Sequence, residues 1–324
     1  MITVVIVTYK RHSEVLSCLA ALGKQTHPIT EVIVVDNAPT SPEGSLRELI
    51  STLSFSFQIR YFANEINSLT LARNIAVSMV TTEYCCLVDD DVILPEKYLE
   101  VILNGLEQLP NAVGAHGKLT RKKTSWLKNS YAKLFCLFYL SNSDCRVLKS
   151  IYVSYPQYYK LSSPLECQWV SGSNQVYRTD VIKNIKWDEK MIKYSDGEDV
   201  DHSYRIYKSG VGKLYLFPTL EVQHTQSKIG RAFGFESTLM RETYMYYLKH
   251  KLLGPSLVSS FLFLWSRLGE FLEILMRIIL QSNKILRFKE LLYLIKSFRY
   301  TFKFRKELKS GELASINTLI QKIL

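Results

Sequence analysis

The stretch CCLVDDDV, residues 85–92, sets three consecutive carboxylates at the end of a short apolar run. Such a run is typical of a buried strand, and no neighbouring residue in the sequence neutralises the three charges. Residues i and i+2 of a strand share a face, so Asp89 and Asp91 are predicted to point together, with Asp90 opposite. Two carboxylates at a strand end suit Mg²⁺ or Mn²⁺, which take oxygen ligands. The alternative, a helix N-cap or a solvated loop before Pro95, needs one aspartate and not three.

The first 120 residues alternate strand and helix patterns. Short β-branched runs predict strands at residues 2–8, 31–36, 58–62, 84–89 and 112–118, and helices are predicted between them at 13–25, 44–52, 69–80 and 95–109. This alternation indicates an α/β fold with a parallel sheet covered by helices on both faces. Ligands of such sheets bind at the carboxyl ends of the strands. Polar residues follow several predicted strands, at 8–11, 36–37, 64 and 89–91, so a site is expected there.

Residues 121–168 are aromatic and basic, with no clear period. We interpret them as an excursion that shapes an acceptor groove, and a pair of helices is the alternative. A strand at 170–177, a helix at 199–209 and a strand at 213–217 are predicted to follow. Asp201 and Arg205 are spaced to pair on that helix. His224 comes after a strand, where it can complete an oxygen-rich metal shell, and the basic loop that follows, with Lys228 and Arg231, can close over phosphates.

Basic charge is concentrated near the C-terminus. The chain has 41 Lys and Arg against 30 Asp and Glu, a net charge of +11. Residues 251–324 hold 13 of these basic and 5 of these acidic residues, a net +8 that leaves +3 for the rest. Because the basic residues lie among Leu, Ile and Phe, an anionic membrane surface is favoured as a partner over nucleic acid.

Two amphipathic helices are predicted in that segment, at 252–280 and 285–304, with too many charges to span a bilayer. Packing of this pair on the protein, or on a second copy of the chain, is the alternative. The 47% hydrophobic content excludes disorder. Six cysteines without metal-type spacing indicate reduced thiols. Residues 1–8 lack the pattern of a secretory signal, so we expect a cytoplasmic protein bound peripherally to the inner face of the cell membrane.

A set of short motifs, taken in order, resembles glycosyltransferase family 2. They are VVIVTYKR at 4–11, VVDN at 34–37, LARN at 71–74, DDD at 89–91, GSN at 172–174, WDE at 187–189, GED at 197–199 with Arg205, and His224. The resemblance covers residues 1–231. The chain departs from the family pattern at 67–69, where a glycine is common, and at Trp187, where phenylalanine is usual.

The resemblance implies a GT-A fold, a Rossmann-like mixed sheet flanked by helices, with a C-terminal helical appendage. Residues 1–250 would be the catalytic domain, with a nucleotide-binding half at 1–120 and an acceptor half at 121–250, and 251–324 the basic tail. The family also implies a nucleotide-sugar donor and a divalent cation, Mg²⁺ or Mn²⁺. The residues that it carries over are Thr8, Tyr9, Arg11, Asp36, Arg73, Asp89 and Asp90 for the donor, Asp89, Asp91 and His224 for the metal, Asp199 as general base, and Glu198 beside it to place the acceptor or the donor sugar.

The expected function is therefore metal-dependent, inverting sugar transfer to a glycan or lipid-linked acceptor in surface polysaccharide synthesis, with self-association through the C-terminal helices as a further expectation. A sugar-phosphate nucleotidyltransferase is one alternative, but its glycine-rich loop after the first strand is absent from residues 8–13. An inactive membrane scaffold is the other, and the intact acidic set argues against it.

Overall fold

The computed structural model describes residues 1–40, 44–119, 124–141, 143–157, 161–225, 227, 229, 232–281 and 283–323. The chain forms two compact units, the first made of Met1–Lys122, Gln157–Lys193 and Glu198–Arg231, and the second of Lys123–Pro156, Tyr194–Gly197 and Ala232–Leu324. The predicted division into a nucleotide-binding half (1–120), an acceptor half (121–250) and a basic tail (251–324) is a division by function and stays a prediction.

The described residues form strands and helices in this order: β1 (Ile2–Thr8), α1 (His12–Leu22), β2 (Glu31–Asp36), α2 (Leu46–Ser51), β3 (Gln58–Ala63), α3 (Leu69–Met79), β4 (Tyr84–Asp89), β5 (Val92–Ile93), α4 (Tyr98–Gln108), β6 (Ala112–Leu119), α5 (Trp126–Leu134), β7 (Tyr139–Ser141), β8 (Ser154–Pro156), β9 (Leu165–Cys167), β10 (Asn174–Arg178), α6 (Thr179–Asn184), α7 (Glu198–Ser209), β11 (Lys213–His224), α8 (Gly234–Leu253), α9 (Leu257–Leu280), α10 (Lys284–Lys303), α11 (Arg305–Ser310) and α12 (Ala314–Gln321).

The first unit is built on a mixed sheet with strand order β3-β2-β1-β4-β10-β6-β11-β5, and β9 pairs with β11. Strands β1 to β4 are parallel, whereas β10 runs antiparallel between β4 and β6. Strand β2 is buried along its whole length, as expected for a parallel strand covered on both faces. The predicted α/β sheet is thus confirmed, and each of the five strands predicted in the first 120 residues is present within one residue of its expected bounds.

The register of the parallel strands brings their polar ends to one edge of the sheet. Thr8 is paired with Asp36, and Val7 with Asp89. The backbone N–H of Asn37 donates to the Thr8 carbonyl over 2.9 Å, and that of Asn64 donates to the Asp36 carbonyl over 2.8 Å. The polar ends of neighbouring strands are therefore fixed side by side.

Several segments differ from the sequence-based expectation. Strand β11, predicted to end at Phe217, runs to His224. The strand predicted at 170–177 begins only at Asn174, because the chain before it turns and the Gly172 carbonyl accepts hydrogen bonds from the Arg73 and Gln175 side chains. The excursion holds one helix, α5, and three short strands among its described residues, so the alternative of two helices is wrong. Helix α8 was not predicted, because no apolar stripe marks residues 234–253.

The second unit contains α5, the β7–β8 pair and helices α8 to α12, of which α9 and α10 are the two predicted helices. A buried ionic network joins α8 to α9. Arg267 Nη1 lies 2.8 Å from Glu242 Oε2 and 3.3 Å from Glu270 Oε2, and Arg241 Nη2 lies 3.0 Å from Glu242 Oε1. Within the described part of the chain, none of the helices is both long enough and apolar enough to cross a bilayer.

Candidate active site

Asp89, Asp91 and His224 form a cluster at the carboxyl edge of the sheet. Each offers one ligand atom, and these atoms lie within 4.8 Å of one another. The cluster forms because β5 pairs with the end of β11, with Val92 opposite His224. His224 Nε2 lies 3.0 Å from Asp91 Oδ1. Two carboxylates that are separated by one residue in sequence and an imidazole from a distant strand thus lie close together.

Asp90 points away from this cluster. It is 3% exposed and accepts hydrogen bonds from Thr8 Oγ1 over 2.7 Å and from Arg11 Nη1 over 2.8 Å. Burial raises the pKa of Asp90 to about 7, against the opposing charge of Arg11. Asp90 therefore holds the end of β1 and the start of α1 in place, and its predicted contact with the donor stays a prediction.

Basic residues that are distant in sequence pair with the acidic run, although none of its sequence neighbours does. Arg11 Nη1 also lies 3.6 Å from Asp91 Oδ2, and Arg73 Nη2 lies 3.3 Å from Asp89 Oδ1. Arg11 comes from the start of α1 and Arg73 from α3. The sequence could not show this, because both partners are brought in by the fold.

Arg73 connects the Asp89 carboxylate to the predicted catalytic pair, Glu198 and Asp199. The Arg73 side chain is 3% exposed and donates hydrogen bonds to Glu198 Oε1 and, over 3.0 Å, to the Gly172 carbonyl. Burial raises the pKa of Glu198 to about 8, although Arg73 opposes this shift. Arg73 is therefore held inside the protein between β4, α7 and the turn before β10, and its predicted contact with the nucleoside stays a prediction.

Asp199, at the start of α7, is oriented by the backbone. Its Oδ2 accepts from the N–H of Gly172 over 3.0 Å, and its Oδ1 accepts from the N–H of Val200 over 2.8 Å. A Cβ at position 172 would lie 3.0 Å from Glu198 Oε1 and 3.1 Å from Asp199 Cβ, so only glycine fits without displacing its neighbours. Gly172 is thus a positioning residue whose role sequence reasoning missed, although it is part of the GSN motif.

Asp36, Tyr9 and Thr8 lie near the end of β1 or β2. The Asp36 carboxylate is 1% exposed and accepts from the Tyr61 hydroxyl and from the N–H of Ala38, each over 2.9 Å. Burial and the hydrogen bond to Asp36 raise the pKa of Tyr61. Tyr9 follows β1, with Lys10 Nζ 5.1 Å from the centre of its ring. Their roles in holding a nucleoside stay predictions.

The chain after His224 also contacts the acidic run. The backbone N–H of Ser227 donates to Asp91 Oδ2 over 2.9 Å, and Arg11 Nε donates to the Ile229 carbonyl over 2.6 Å. Sequence reasoning did not anticipate these contacts. Lys228 and Arg231, which were predicted to close over phosphates, lie outside the described residues.

The mixed sheet with its flanking helices has the GT-A fold of known glycosyltransferases. The sequence model of glycosyl transferase family 2 matches residues 3–186, which are more than half of the chain, so the chain belongs to that family. The predicted family and the predicted fold are therefore confirmed.

The chain is similar in sequence to one known protein and in fold to two solved structures, among others. An uncharacterized glycosyltransferase of Haemophilus influenzae is 31% identical over 113 residues, which are 34% of this chain and 36% of that relative. The mannosyltransferase PcManGT from Pyrobaculum calidifontis, solved with GDP-Man and Mn²⁺, matches with a TM-score of 0.56 at 15% identity, over 99% of this chain and 87% of that one. S. aureus TarS 1–349 matches with a TM-score of 0.52 at 13% identity, over 91% and 80% of the two chains.

Proposed function

We propose that this protein is a metal-dependent, inverting glycosyltransferase that moves a sugar from a nucleotide-sugar donor to a glycan or lipid-linked acceptor. The observation that carries the proposal is the link between the cation cluster and Asp199. Asp89 contacts Arg73, Arg73 contacts the Gly172 carbonyl, and the N–H of Gly172 holds Asp199. A group that binds a diphosphate through a cation and a group that accepts a proton are therefore parts of one hydrogen-bonded unit.

The residues at the cluster fit a divalent cation. Two carboxylates and one imidazole offer ligand atoms close enough together to share one ion. An imidazole among oxygen ligands favours Mn²⁺ over Mg²⁺, which prefers oxygen alone. PcManGT was solved with Mn²⁺, which supports the same choice here. When bound, the cation stabilises the charge that develops on the departing nucleoside diphosphate.

The protein's own residues supply the remaining steps. Asp199 takes the proton of the acceptor hydroxyl as that oxygen attacks C1 of the sugar from the side opposite the leaving diphosphate. A single displacement inverts the anomeric centre, so no covalent nucleophile is required. Burial raises the pKa of the Cys85 and Cys86 thiols, which therefore stay protonated and inert. Glu198, paired with Arg73, fixes the start of α7 and with it the position of Asp199.

We place the reaction at the cytoplasmic face of a membrane, in the synthesis of a surface polysaccharide. Large apolar side chains of α9 and α10 are exposed, including Leu257, Phe261, Ile279 and Ile285. Basic residues of α10 and α11 accompany them, which suits an anionic leaflet. Docking of this kind keeps the enzyme at the surface in which a lipid-linked acceptor is dissolved.

A panel of UDP-, GDP-, dTDP- and CMP-linked sugars tests the proposal. We expect one donor to release its nucleotide slowly in the presence of Mn²⁺, and the release to stop in EDTA. Asp91→Asn removes one ligand charge and should abolish the Mn²⁺-dependent release, whereas Asp180→Asn, an exposed aspartate on α6, should leave it unchanged. Release that survives both EDTA and Asp91→Asn would contradict the metal-dependent mechanism. Release of inorganic pyrophosphate from a mixture of a sugar phosphate and a nucleoside triphosphate would indicate the nucleotidyltransferase instead.

A further inference from the structure

The second unit contains a groove formed by α8, α9 and α10, with a volume of about 630 Å³. This size is within the range of sites for small organic ligands. Most of its wall is aromatic or aliphatic, from Phe263, Leu264, Leu268, Phe271, Phe298 and Phe302. Leu264 and Phe302 are 66% and 67% exposed, so the apolar wall continues to the surface. The wall suits a hydrocarbon chain.

One end of the groove carries a buried positive charge. Lys249 is 3% exposed, and its ammonium donates to Ser260 Oγ over 2.7 Å. Among the described residues this neutral hydroxyl is its one hydrogen-bond partner, and no carboxylate lies within 4.0 Å of the ammonium. Glu242 also lines the groove, but its two oxygens are bonded to Arg241 and Arg267. A buried ammonium without a counter-charge is costly, and a bound anion would remove that cost.

The wall of the groove also contains other residues with basic side chains. His250 and Arg305 line the same groove, and the Arg305 guanidinium lies 4.0 Å from the centre of the Phe302 ring. Burial, together with the charges of Lys249 and Lys309, lowers the pKa of His250 to about 4. Burial and Lys309 likewise lower the pKa of Lys249. The groove thus combines an apolar wall with the positive charges of Lys249 and Arg305, whereas His250 is neutral near pH 7.

We propose that this groove binds an anionic amphiphile, with a phosphate at Lys249 and a hydrocarbon chain along the aromatic wall. A prenyl-type lipid phosphate and a membrane phospholipid share this chemistry. The site goes beyond the proposed sugar transfer, because none of its residues belongs to the cation cluster or to the pair at the start of α7. It therefore stands or falls independently of the donor chemistry.

Calorimetric titration of the full chain with dodecyl phosphate, below its micelle concentration, tests the site. We expect dodecyl phosphate to bind, and dodecyl maltoside and inorganic phosphate each to bind at least tenfold more weakly. Lys249→Met keeps the apolar volume and removes the charge, so dodecyl phosphate should bind about 10- to 100-fold more weakly. Without ligand, the same variant should melt at a higher temperature than the wild type, because a buried unpaired charge is gone.

Lys251→Met is the matched control, since Lys251 is exposed on the same helix and does not line the groove. It should change neither the affinity nor the melting temperature. Equal binding of dodecyl phosphate by the wild type and Lys249→Met, or equal binding of dodecyl maltoside, would overturn the proposal.

Farnesyl phosphate and phosphatidylglycerol vesicles then identify the source of the ligand. Displacement of the probe by farnesyl phosphate alone assigns a lipid-phosphate substrate, and displacement by vesicles alone assigns a bilayer lipid. Donor turnover should be unchanged in Lys249→Met, which separates this site from the proposed activity.

Discussion

Arg73 is buried on α3 and contacts three groups that come from other parts of the first unit: the Glu198 carboxylate, the Asp89 carboxylate and the carbonyl of Gly172. One side chain therefore contacts both Asp89 of the candidate cation site and Glu198 at the start of α7. Two carboxylates share one guanidinium, so their charges depend on each other. This coupling leads to two predictions at single residues.

The first prediction concerns Glu198 and pH. Its pKa is about 8 in the folded protein because of burial, and about 4.5 when unfolded. Between these values the folded state holds a proton that the unfolded chain has released, so rising pH favours unfolding. The contribution of Glu198 to stability is thus fully present below about pH 4.5 and is lost as pH rises through about 8.

Urea unfolding of the wild type and Glu198→Gln at several pH values measures this effect. Glutamine does not titrate, so the wild type should lose stability relative to the variant between about pH 5 and 8. Losing the carboxyl partner of Arg73 changes the variant's free energy of unfolding by the same amount at every pH. The slope of that free energy against pH therefore still reports the titration of Glu198. Parallel stability curves over this range would show that Glu198 is ionised in the folded protein.

The second prediction concerns Asp199. Asp199→Asn keeps the shape of the side chain but removes the proton acceptor, so kcat should fall by about 10² to 10⁴. Donor affinity should change little, because the donor is expected to contact the cation cluster. Steady-state transfer assays with saturating donor, and donor binding by calorimetry, separate the two quantities. A large loss of donor affinity with kcat preserved would make Asp199 a binding residue and place the base elsewhere.

At the scale of elements, helix α4 lies against the sheet at a glycine. A Cβ at Gly105 would lie 2.2 Å from Cζ and 2.6 Å from Cε1 of Phe217 on β11. Phe217 is itself 4% exposed, so it lies in a close-packed part of the protein. The contact between α4 and β11 therefore depends on the missing side chain.

Gly105→Ala tests this contact. Alanine favours a helix by up to about 1 kcal/mol over glycine, but overpacking of a tight contact costs about 1–3 kcal/mol. We expect a net loss of stability in urea unfolding. Asn104→Ala, one residue away on the exposed side of α4, changes only helix propensity and should be neutral or slightly stabilising. Equal stabilisation by both variants would show that the sheet yields at Phe217.

The same scale shows what the sequence can and cannot predict. Strands β1, β2 and β4 were predictable, because their β-branched runs are buried on both sides and end in polar residues. The pairing of β5 with the end of β11, which brings His224 to Asp91, is a long-range contact that follows a register shift between Phe217 and Glu221. Pro218 marks an irregularity there but not the partner strand. The strand pattern predicted that Asp89 and Asp91 converge, but Asp89 ends β4 and Asp91 lies in the turn before β5, so the convergence depends on that turn. The ion pairs of Arg11 and Arg73 follow from long-range topology alone.

At the scale of the whole molecule, an apolar face distinguishes the second unit. Leu257, Phe261 and Leu264 follow a helical repeat on α9 and are 91%, 63% and 66% exposed. Exposed apolar clusters of this kind mark surfaces that meet a membrane or another protein. The basic residues of α10 and α11 add about 1 kcal/mol each near an anionic leaflet.

We therefore expect the full chain to sediment with phosphatidylglycerol vesicles at low salt and to be partly released at high salt. The double variant Leu257→Glu and Phe261→Glu places two negative charges on the apolar face and should remain in the supernatant. Val211→Glu, at a residue 51% exposed in the first unit, is the control and should sediment like the wild type. A wild-type chain that ignores vesicles but sediments as a dimer would assign the face to a second copy of the protein.

The antiparallel strand β10 has a consequence for synthesis on the ribosome. It lies between β4 and β6, so β4 has no partner on that side until residue 178 has been made. From Asp89 to Arg178 the ribosome adds 89 residues, which takes roughly 4 to 18 s at ordinary elongation rates. For that time the nascent chain presents the unpaired edge of an apolar strand, the kind of edge that recruits chaperones or other nascent chains. The yield of this protein in a heterologous host should therefore depend on translation speed between codons 90 and 178.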